Sequence, residues 1–417
     1  MATTILIIIL VILIFNYILE RILDYLNSTL WTNELPSELF DIYDAEKYNK
    51  SQNYEKVNQR FSTITGTLSF VAMLLMLIFG GFALVDHFVR EYTVNPILMA
   101  LMFFGILGLA SDILSTPFSI YSTFVVEEKF GFNRTSPKTF MLDKIKGWFL
   151  GAIIGGGLLS LIVWLFEIAG NYFWVLAWVA LSIFMVFMNM FYSTLIVPLF
   201  NKQIPLEEGE LRDSIEDFAK KVGFKLDNIF VMDGSKRSKK ANAYFSGLGA
   251  KKRIVLYDTL IKDHTTNELV AVLAHEIGHY KKRHTIRGMI FSIIQSGIML
   301  FLLSLFIQKD SVISLSLAQA LGAENASFHL GILAFGLLYS PLSLIIGIGM
   351  NIESRRNEFQ ADHFAGENFN ISALQDALKK LSVNHLSNLR PHPAYVFFYY
   401  SHPPLLKRLN ALGKLKE

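Results

Sequence analysis

No cysteine occurs at any of the 417 positions. That absence removes disulfides, thiolate metal ligands and a cysteine nucleophile together, so any metal in this protein must be held by imidazole and carboxylate. Charge is the second shortage. Asp, Glu, Lys and Arg make up 18% of the residues against 52% hydrophobic ones, and the mean hydropathy is +0.40. This is too apolar for a soluble two-domain protein of such length, and the chain is expected in a bilayer. Net charge is only +3, with basic residues spread over loops and no interleaved aromatics. Nucleic acid is therefore not an expected partner.

A spanning helix needs roughly 20 mostly apolar residues. Seven stretches qualify: 3–18, 68–88, 97–116, 148–166, 173–195, 286–307 and 330–350. The first lacks a basic leader and a small-residue cleavage site, so it is expected to be a retained span. The third carries Asp112 and runs into Pro117; an ionisable group at that depth needs a cavity or a partner. Gly151, Gly155, Gly156 and Gly157 in the fourth suggest a phosphate loop, but no Lys-Ser/Thr follows. Close helix packing is the expectation there. Orientation follows from basic loops. Arg21, Lys47, Lys50, Lys56 and Arg60 lie in the first loop, Lys129, Arg134, Lys138, Lys144 and Lys146 in the third, and the segments after spans five and seven are basic too. The alternate connections hold almost none. The N-terminus is thus expected outside or in a lumen and the C-terminus in the cytoplasm, in a bacterial inner membrane or the endoplasmic reticulum.

Residues 273–284 read L-A-H-E-I-G-H-Y-K-K-R-H. Four residues turn a helix by roughly 400°, so His275 and His279 project from one face, one turn apart, and can share a metal ion. Glu276 sits beside them, placed to take a proton from a metal-bound water. Zinc, one per chain, is the expected ion, because two imidazoles, a carboxylate and an open position suit metal-assisted hydrolysis. The pattern by itself also occurs on ordinary helix surfaces. Its company distinguishes it here. In N-I-E-S-R-R-N-E-F-Q-A-D-H-F-A, residues 351–365, Glu358 and Asp362 share a helical face. Glu358 is then the third ligand, and Asp362 the acceptor that fixes the tautomer of a ligand histidine. His363 lies roughly 140° from Glu358, and His284 about 180° from His275 on a continuous helix, so neither is expected at the metal. His402 precedes Pro403 and Pro404. As a held, non-ligand imidazole it would stabilise an oxyanion; a solvated loop histidine is the plainer reading.

Between 200 and 285 the pattern predicts a helix at 206–222, a strand at 228–232, a polar loop, a second strand at 253–257, and the metal helix opening at Thr265 or Thr266. The strands flank S-K-K-A-N-A-Y-F-S-G, residues 238–247. A short sheet edge beside a metal is where a peptide can add itself as a strand. From this segment alone, a plain surface hairpin is the simpler reading. The expected divisions are 1–199 for spans one to five, 200–285 for the peptidase segment, 286–351 for spans six and seven, and 352–417 for the part carrying the third ligand.

Together these residues resemble the type I CAAX prenyl protease family of integral-membrane zinc endopeptidases. The resemblance rests on A-N-A-Y-F-S-G at 241–247, L-A-H-E-I-G-H at 273–279, R-R-N-E-F-Q-A-D at 355–362 and Y-S-H-P-P-L at 400–405, with the order and spacing of spans and motifs in agreement. It implies a mainly α, polytopic fold in which seven tilted helices ring a large intramembrane chamber, with the zinc site at its cytoplasmic side. It further implies that Asn242, Ala243 and Tyr244 lie along bound peptide, and that His402 and Arg408 serve the site. The expected function is endoproteolysis, by zinc-activated water, near the C-terminus of prenylated CAAX-type or other membrane-associated peptides. The expected partners are a peptide or protein substrate and the lipid bilayer. Two alternatives stand beside it. A quality-control metallopeptidase of the related heat-shock kind would be shorter with fewer spans, and a seven-span transporter or receptor would give no reason for Glu276 between two facing histidines.

Overall fold

The computed structural model describes residues 1–415 except 33, 36, 226–228, 248–251 and 310. The chain opens with α1 (Ala2–Ser28), α2 (Ala45–Ile78), α3 (Gly81–Tyr92) and α4 (Pro96–Tyr121), the last continuing as π-helix through Ser122–Glu127. Next come α5 (Pro137–Leu150), a π-helical turn (Gly151–Gly155), α6 (Gly156–Ala169), α7 (Phe173–Leu195) and the short α8 (Val197–Phe200). A sheet-bearing segment follows, with β1 (Gln203–Pro205), α9 (Glu210–Lys221), β2 (Ile229–Met232), β3 (Ala243–Ser246), β4 (Arg253–Tyr257), α10 (Asp258–Asp263) and α11 (Thr266–Lys281). The chain ends with α12 (His284–Phe306), α13 (Val312–Ala320), α14 (Phe328–Asn368), α15 (Ile371–Asn384), α16 (Pro393–Tyr399) and α17 (Leu405–Gly413).

Among the described residues, six helical runs are long and apolar enough to cross a membrane: Ala2–Ser28, Ala45–Ile78, Pro96–Glu127, Pro137–Phe200, His284–Phe306 and Phe328–Asn368. Large apolar side chains such as Ile7, Val11, Phe15, Ile153 and Ile183 stay exposed along them, as lipid-facing helices require. The run Pro137–Phe200 is not straight. Gly170, at φ 52°, closes α6, and one 3₁₀ turn leads into α7. The stretch expected as a span at 68–88 is likewise broken, because Gly80 adopts a left-handed φ of 65° and starts the separate helix α3. Glycine tolerates that conformation without a Cβ clash, so the apolar pattern continues across a turn it does not reveal. Asp112 has its partners on α5, accepting from Lys144 Nζ at 2.8 Å and Trp148 Nε1 at 3.0 Å. Close packing does not explain the glycine cluster. A Cβ at Gly151, Gly155 or Gly157 would meet nothing within 4 Å, and at Gly156 only Leu101, 3.6 Å away. Those residues instead include a π-helical turn.

The sheet runs β1-β2-β4-β3. β2 and β4 are parallel and β3 pairs antiparallel to β4, and among the described residues no strand pairs with the other side of β3. The segment expected as a polar loop therefore contains the edge strand itself. Its four residues are too short for a period to stand out. The helix expected at 206–222 begins only at Glu210, and residue 228 of the expected strand lies outside the described residues. Beneath the sheet, α11 is apolar on nearly every side, with Leu269, Val270, Ala271, Leu273, Ala274 and Ile277 in one core with Ile254 and Leu256 of β4, Ile215 of α9 and Leu374 of α15. α14 spans 41 residues, about 60 Å at 1.5 Å per residue. One continuous helix, with Pro341 inside it, thus joins the apolar stretch 330–350 to the acidic residues that meet α11.

Candidate active site

α11 starts where a reciprocal cap satisfies its first amides. Thr265 Oγ1 accepts from Glu268 N at 3.3 Å, and Glu268 Oε2 accepts from Thr265 N at 2.8 Å. Lys380 of α15 then binds the same carboxylate at 2.8 Å. Further along, Gly278 lets α14 come close, since a Cβ there would sit 3.1 Å from both Cα and O of Ala361. This crossing carries Glu358 to the two histidines. His275 Nε2 lies 3.1 Å from His279 Nε2 and 3.5 Å from Glu358 Oε2, and His279 Nε2 lies 3.3 Å from Glu358 Oε1.

These separations fit a metal ion. Zinc–nitrogen bonds of about 2.0–2.1 Å place neighbouring ligand atoms of a tetrahedron roughly 3.3 Å apart. Among the described residues, His275, His279 and Glu358 form the one such group, with donor atoms within 4.8 Å of one another. Glu358 Oε2 is buried and accepts no hydrogen bond; Arg408 lies 3.3 Å from it, and a metal ion held by the two histidines would give it a further partner. Asp362 Oδ1 is 2.9 Å from His275 Nδ1. Holding the proton on Nδ1 leaves Nε2 as a lone pair directed at the same point.

Arg408 of α17 lies deeper in the site than its sequence position announces. Its Nε and one terminal nitrogen donate to Asp362 at 2.7 and 2.6 Å, and the other terminal nitrogen is 3.3 Å from Glu358 Oε2. Burial alone would lower its pKa, but Asp362, Glu358 and Glu276 outweigh that and raise it. His402 Nε2 is 3.4 Å from Glu358 Oε1, while its side chain remains 64% exposed. Glu276 faces the same cavity. Burial beneath the surrounding protein pushes its carboxyl upward, against the pull of His275 and His279.

The cavity measures about 820 Å³ and is bounded by the metal-site residues, by Asn242, Ala243 and Phe245 of the edge segment, and by Leu378 and Leu381 of α15. Asn242 is exposed and its Oδ1 accepts from Ala243 N at 2.9 Å. Tyr244 does not face the metal. Its hydroxyl lies 3.3 Å from Ser193 Oγ and from Gln203 Nε2, on the far side of the sheet, because successive strand residues alternate in direction.

His363 stands apart, half exposed and 3.1 Å from Glu367. His284 is not in the donor group, as expected, but it comes nearer than a helical wheel suggests. Arg283 takes φ 58° and ends the helix, so His284 belongs to α12 and turns back to place Nδ1 2.9 Å from His279 Nδ1 and Nε2 3.0 Å from Gln360 Oε1. Counting degrees to His284 assumed a helix that in fact stops at Lys281. His385 was not legible either. Its Nε2 accepts from Ala241 N at 3.0 Å, just before the edge strand, and burial and then Lys240 lower its pKa, favouring the neutral ring that role needs.

Residues 24–202 match the family described as CAAX prenyl protease N-terminal, five membrane helices, and residues 205–416 match peptidase family M48. The CAAX prenyl protease 1 of Saccharomyces cerevisiae is 36% identical over 407 residues, covering 92% of this chain and 89% of that protein. The CAAX prenyl protease 1 homolog of Homo sapiens is 33% identical over 435 residues, with 93% and 90% covered. The crystal structure of S. mikatae Ste24p matches with a TM-score of 0.89 and 34% identity, covering 98% of this chain and 99% of that one. With a donor triangle on two crossing helices, a carboxylate beside it and these matches along nearly its whole length, the chain belongs to peptidase family M48 and is a membrane metalloendopeptidase.

Proposed function

We propose that this chain is a zinc endopeptidase that removes the last residues of a prenylated CAAX-type peptide, and that it holds one zinc ion between His275, His279 and Glu358. The observation that carries the reading is the donor triangle, which opens on a cavity walled by a sheet edge with a free side. The names of the yeast and human relatives support the CAAX substrate. Zinc at that point supplies a Lewis acid and an acidified water. Glu276 takes the proton from the attacking water and returns it to the leaving amine, a task suited to a carboxyl whose pKa burial has raised. Asp362 keeps His275 in the tautomer that presents Nε2, and Arg408 keeps Asp362 ionised and in place. His402 donates to the oxyanion as it forms. The peptide adds along Asn242, Ala243 and Tyr244 as a further strand.

The same proposal takes seven spans around an intramembrane chamber, dividing the run Pro137–Phe200 at its Gly170 turn. It puts the N-terminus outside or in the lumen and the catalytic site toward the cytoplasm, on the strength of the basic loops. The division into 1–199, 200–285, 286–351 and 352–417 follows from that arrangement. The test compares three peptides on purified, zinc-loaded protein: a farnesylated CAAX peptide, the same peptide without its lipid, and an unrelated membrane-anchored peptide. Release of the last three residues from the first is expected, abolished by a chelator and restored by zinc. Equal cleavage of all three would sink the CAAX assignment and leave a general membrane-proximal peptidase.

A further inference from the structure

Two cavities lie on opposite sides of β3. The first is the metal-site cavity. The second, about 670 Å³, lies beyond the strand and shares Asn242, Phe245 and Thr285 with it. The two differ in chemistry. The metal-site cavity carries Glu55, Glu276, Glu358 and Arg408, whereas none of the described residues lining the second is an Asp, Glu, Lys, Arg or His. Its walls combine Met188 and Tyr192 of α7, Phe200 of α8, Met232, Tyr244 and Tyr257 with neutral polar side chains such as Asn189 and Asn201, so the difference lies in charge. Both α7 and α12, which contributes Thr285, belong to runs apolar enough to cross a membrane, and they pack against each other. The cavity is thus bordered by helices of the membrane-crossing runs.

We infer that this second cavity is the subsite for the isoprenoid chain on the substrate cysteine. The inference rests on the CAAX reading above and adds the place where the lipid lies. Strand geometry supplies the register. Ala243 lines only the metal-site cavity, while Tyr244 and Ser246 line only the second. A peptide added to the free side of β3 alternates in the same way, so that neighbouring residues send side chains to opposite faces of the sheet. The residue bearing the lipid turns toward the uncharged cavity, and the residue after it turns toward the metal side. The scissile bond between them stays at the donor triangle. A volume of about 670 Å³ falls within the roughly 300–1,000 Å³ usual for sites that bury most of a small ligand. An unlipidated cysteine would leave that space unfilled.

Filling the cavity tests the subsite. Met188→Trp and, separately, Val197→Trp should raise KM for a farnesylated CAAX peptide at least about tenfold, since even one methylene in an apolar pocket discriminates by roughly 10–200-fold. KM for the same peptide with an S-methyl cysteine, and bound zinc, should stay at parent values. Equal effects on both peptides, or none on either, would overturn the assignment. A second measurement does not depend on the variants folding. In bilayer discs, zinc-loaded Glu276→Gln protein is incubated with a CAAX peptide whose isoprenoid carries a photoreactive group, and labelled residues are mapped by mass spectrometry. Labels on 188–200, Tyr244, Ser246 or Gly247 support the subsite, and labels confined elsewhere refute it. If the parent enzyme cuts farnesylated and S-methyl peptides with the same KM, the prenyl-substrate reading fails and takes the subsite with it. A parent that favours the farnesylated peptide but is labelled elsewhere loses the subsite alone.

Discussion

At Glu358, two imidazoles, a guanidinium and a third histidine converge on one buried carboxylate, and each contact implies a different consequence on substitution. Glu276→Gln should keep zinc near parent stoichiometry while hydrolysis falls by roughly 10²–10⁴-fold, the usual worth of a general base. Metal analysis and peptide cleavage on the same sample read the two quantities apart, and retained activity would remove Glu276 as the base. Glu358→Ala should lose metal, because it deletes a donor and leaves Arg408 facing two imidazoles. His363→Ala should keep metal, since that side chain reaches Glu367. Exchange of those two outcomes would mean the third ligand has been assigned wrongly. The spacing E-x-x-x-D gave Glu358 and Asp362 from the sequence, because four residues on a helix share a face. Arg408 had no such signal, being brought in by α17 from 46 positions beyond Asp362.

α11 depends on its two ends. Gly278→Ala should strip zinc and lower thermal stability together, since the added methyl would press on the Ala361 backbone 3.1 Å away and on Phe364, and overpacking commonly costs about 1–3 kcal/mol. Normal metal content in the folded variant would show that the crossing tolerates a wider gap. At the other end, burial would raise the Glu268 pKa, but Lys380 and the Thr265 amide outweigh it and hold it below the ordinary 4.5. A carboxylate depressed in the folded state contributes stability that is fully present above its unfolded value and lost as pH falls through the folded one. The difference in melting temperature between the parent and Glu268→Gln should therefore be largest above pH 4.5 and shrink below it. Tryptophan fluorescence during heating measures this, and a pH-independent difference would mean the capping contact, not the charge, carries it. Thr265 as the cap was readable as one of two choices; only the reciprocal bonds with Glu268 separate it from Thr266.

Across the whole molecule, the arrangement of basic loops can be checked by labelling. The chain has no cysteine, so single cysteines can be introduced without background. An impermeant thiol reagent should reach one near Lys138 or Lys414 only from the cytoplasmic face, and one near Glu167 or Ala323 only from the other. Labelling of Lys138 and Glu167 from the same side would mean that the helical stretch 137–169 does not cross the bilayer and that a span has been miscounted.

What the sequence determined by itself was local or compositional. Missing thiols left His and carboxylate as the donors open to any metal, apolar length required membrane helices, and the four-residue spacing of His275 with His279 and of Glu358 with Asp362 placed each pair on one helical face. The π-helical glycines, the Gly80 and Gly170 turns and the Arg283 break were hidden because an apolar pattern records which residues avoid water, not where the backbone changes direction. Tertiary structure decided everything that depends on chain segments far apart. It set the Gly278–Ala361 crossing that closes the donor triangle, brought His284 back to His279 and Arg408 to Asp362, and left β3 at the edge between a charged cavity and an uncharged one. Helical spacing fixes angles within one element. The distance between two elements follows from how their side chains pack, and no single segment contains that information.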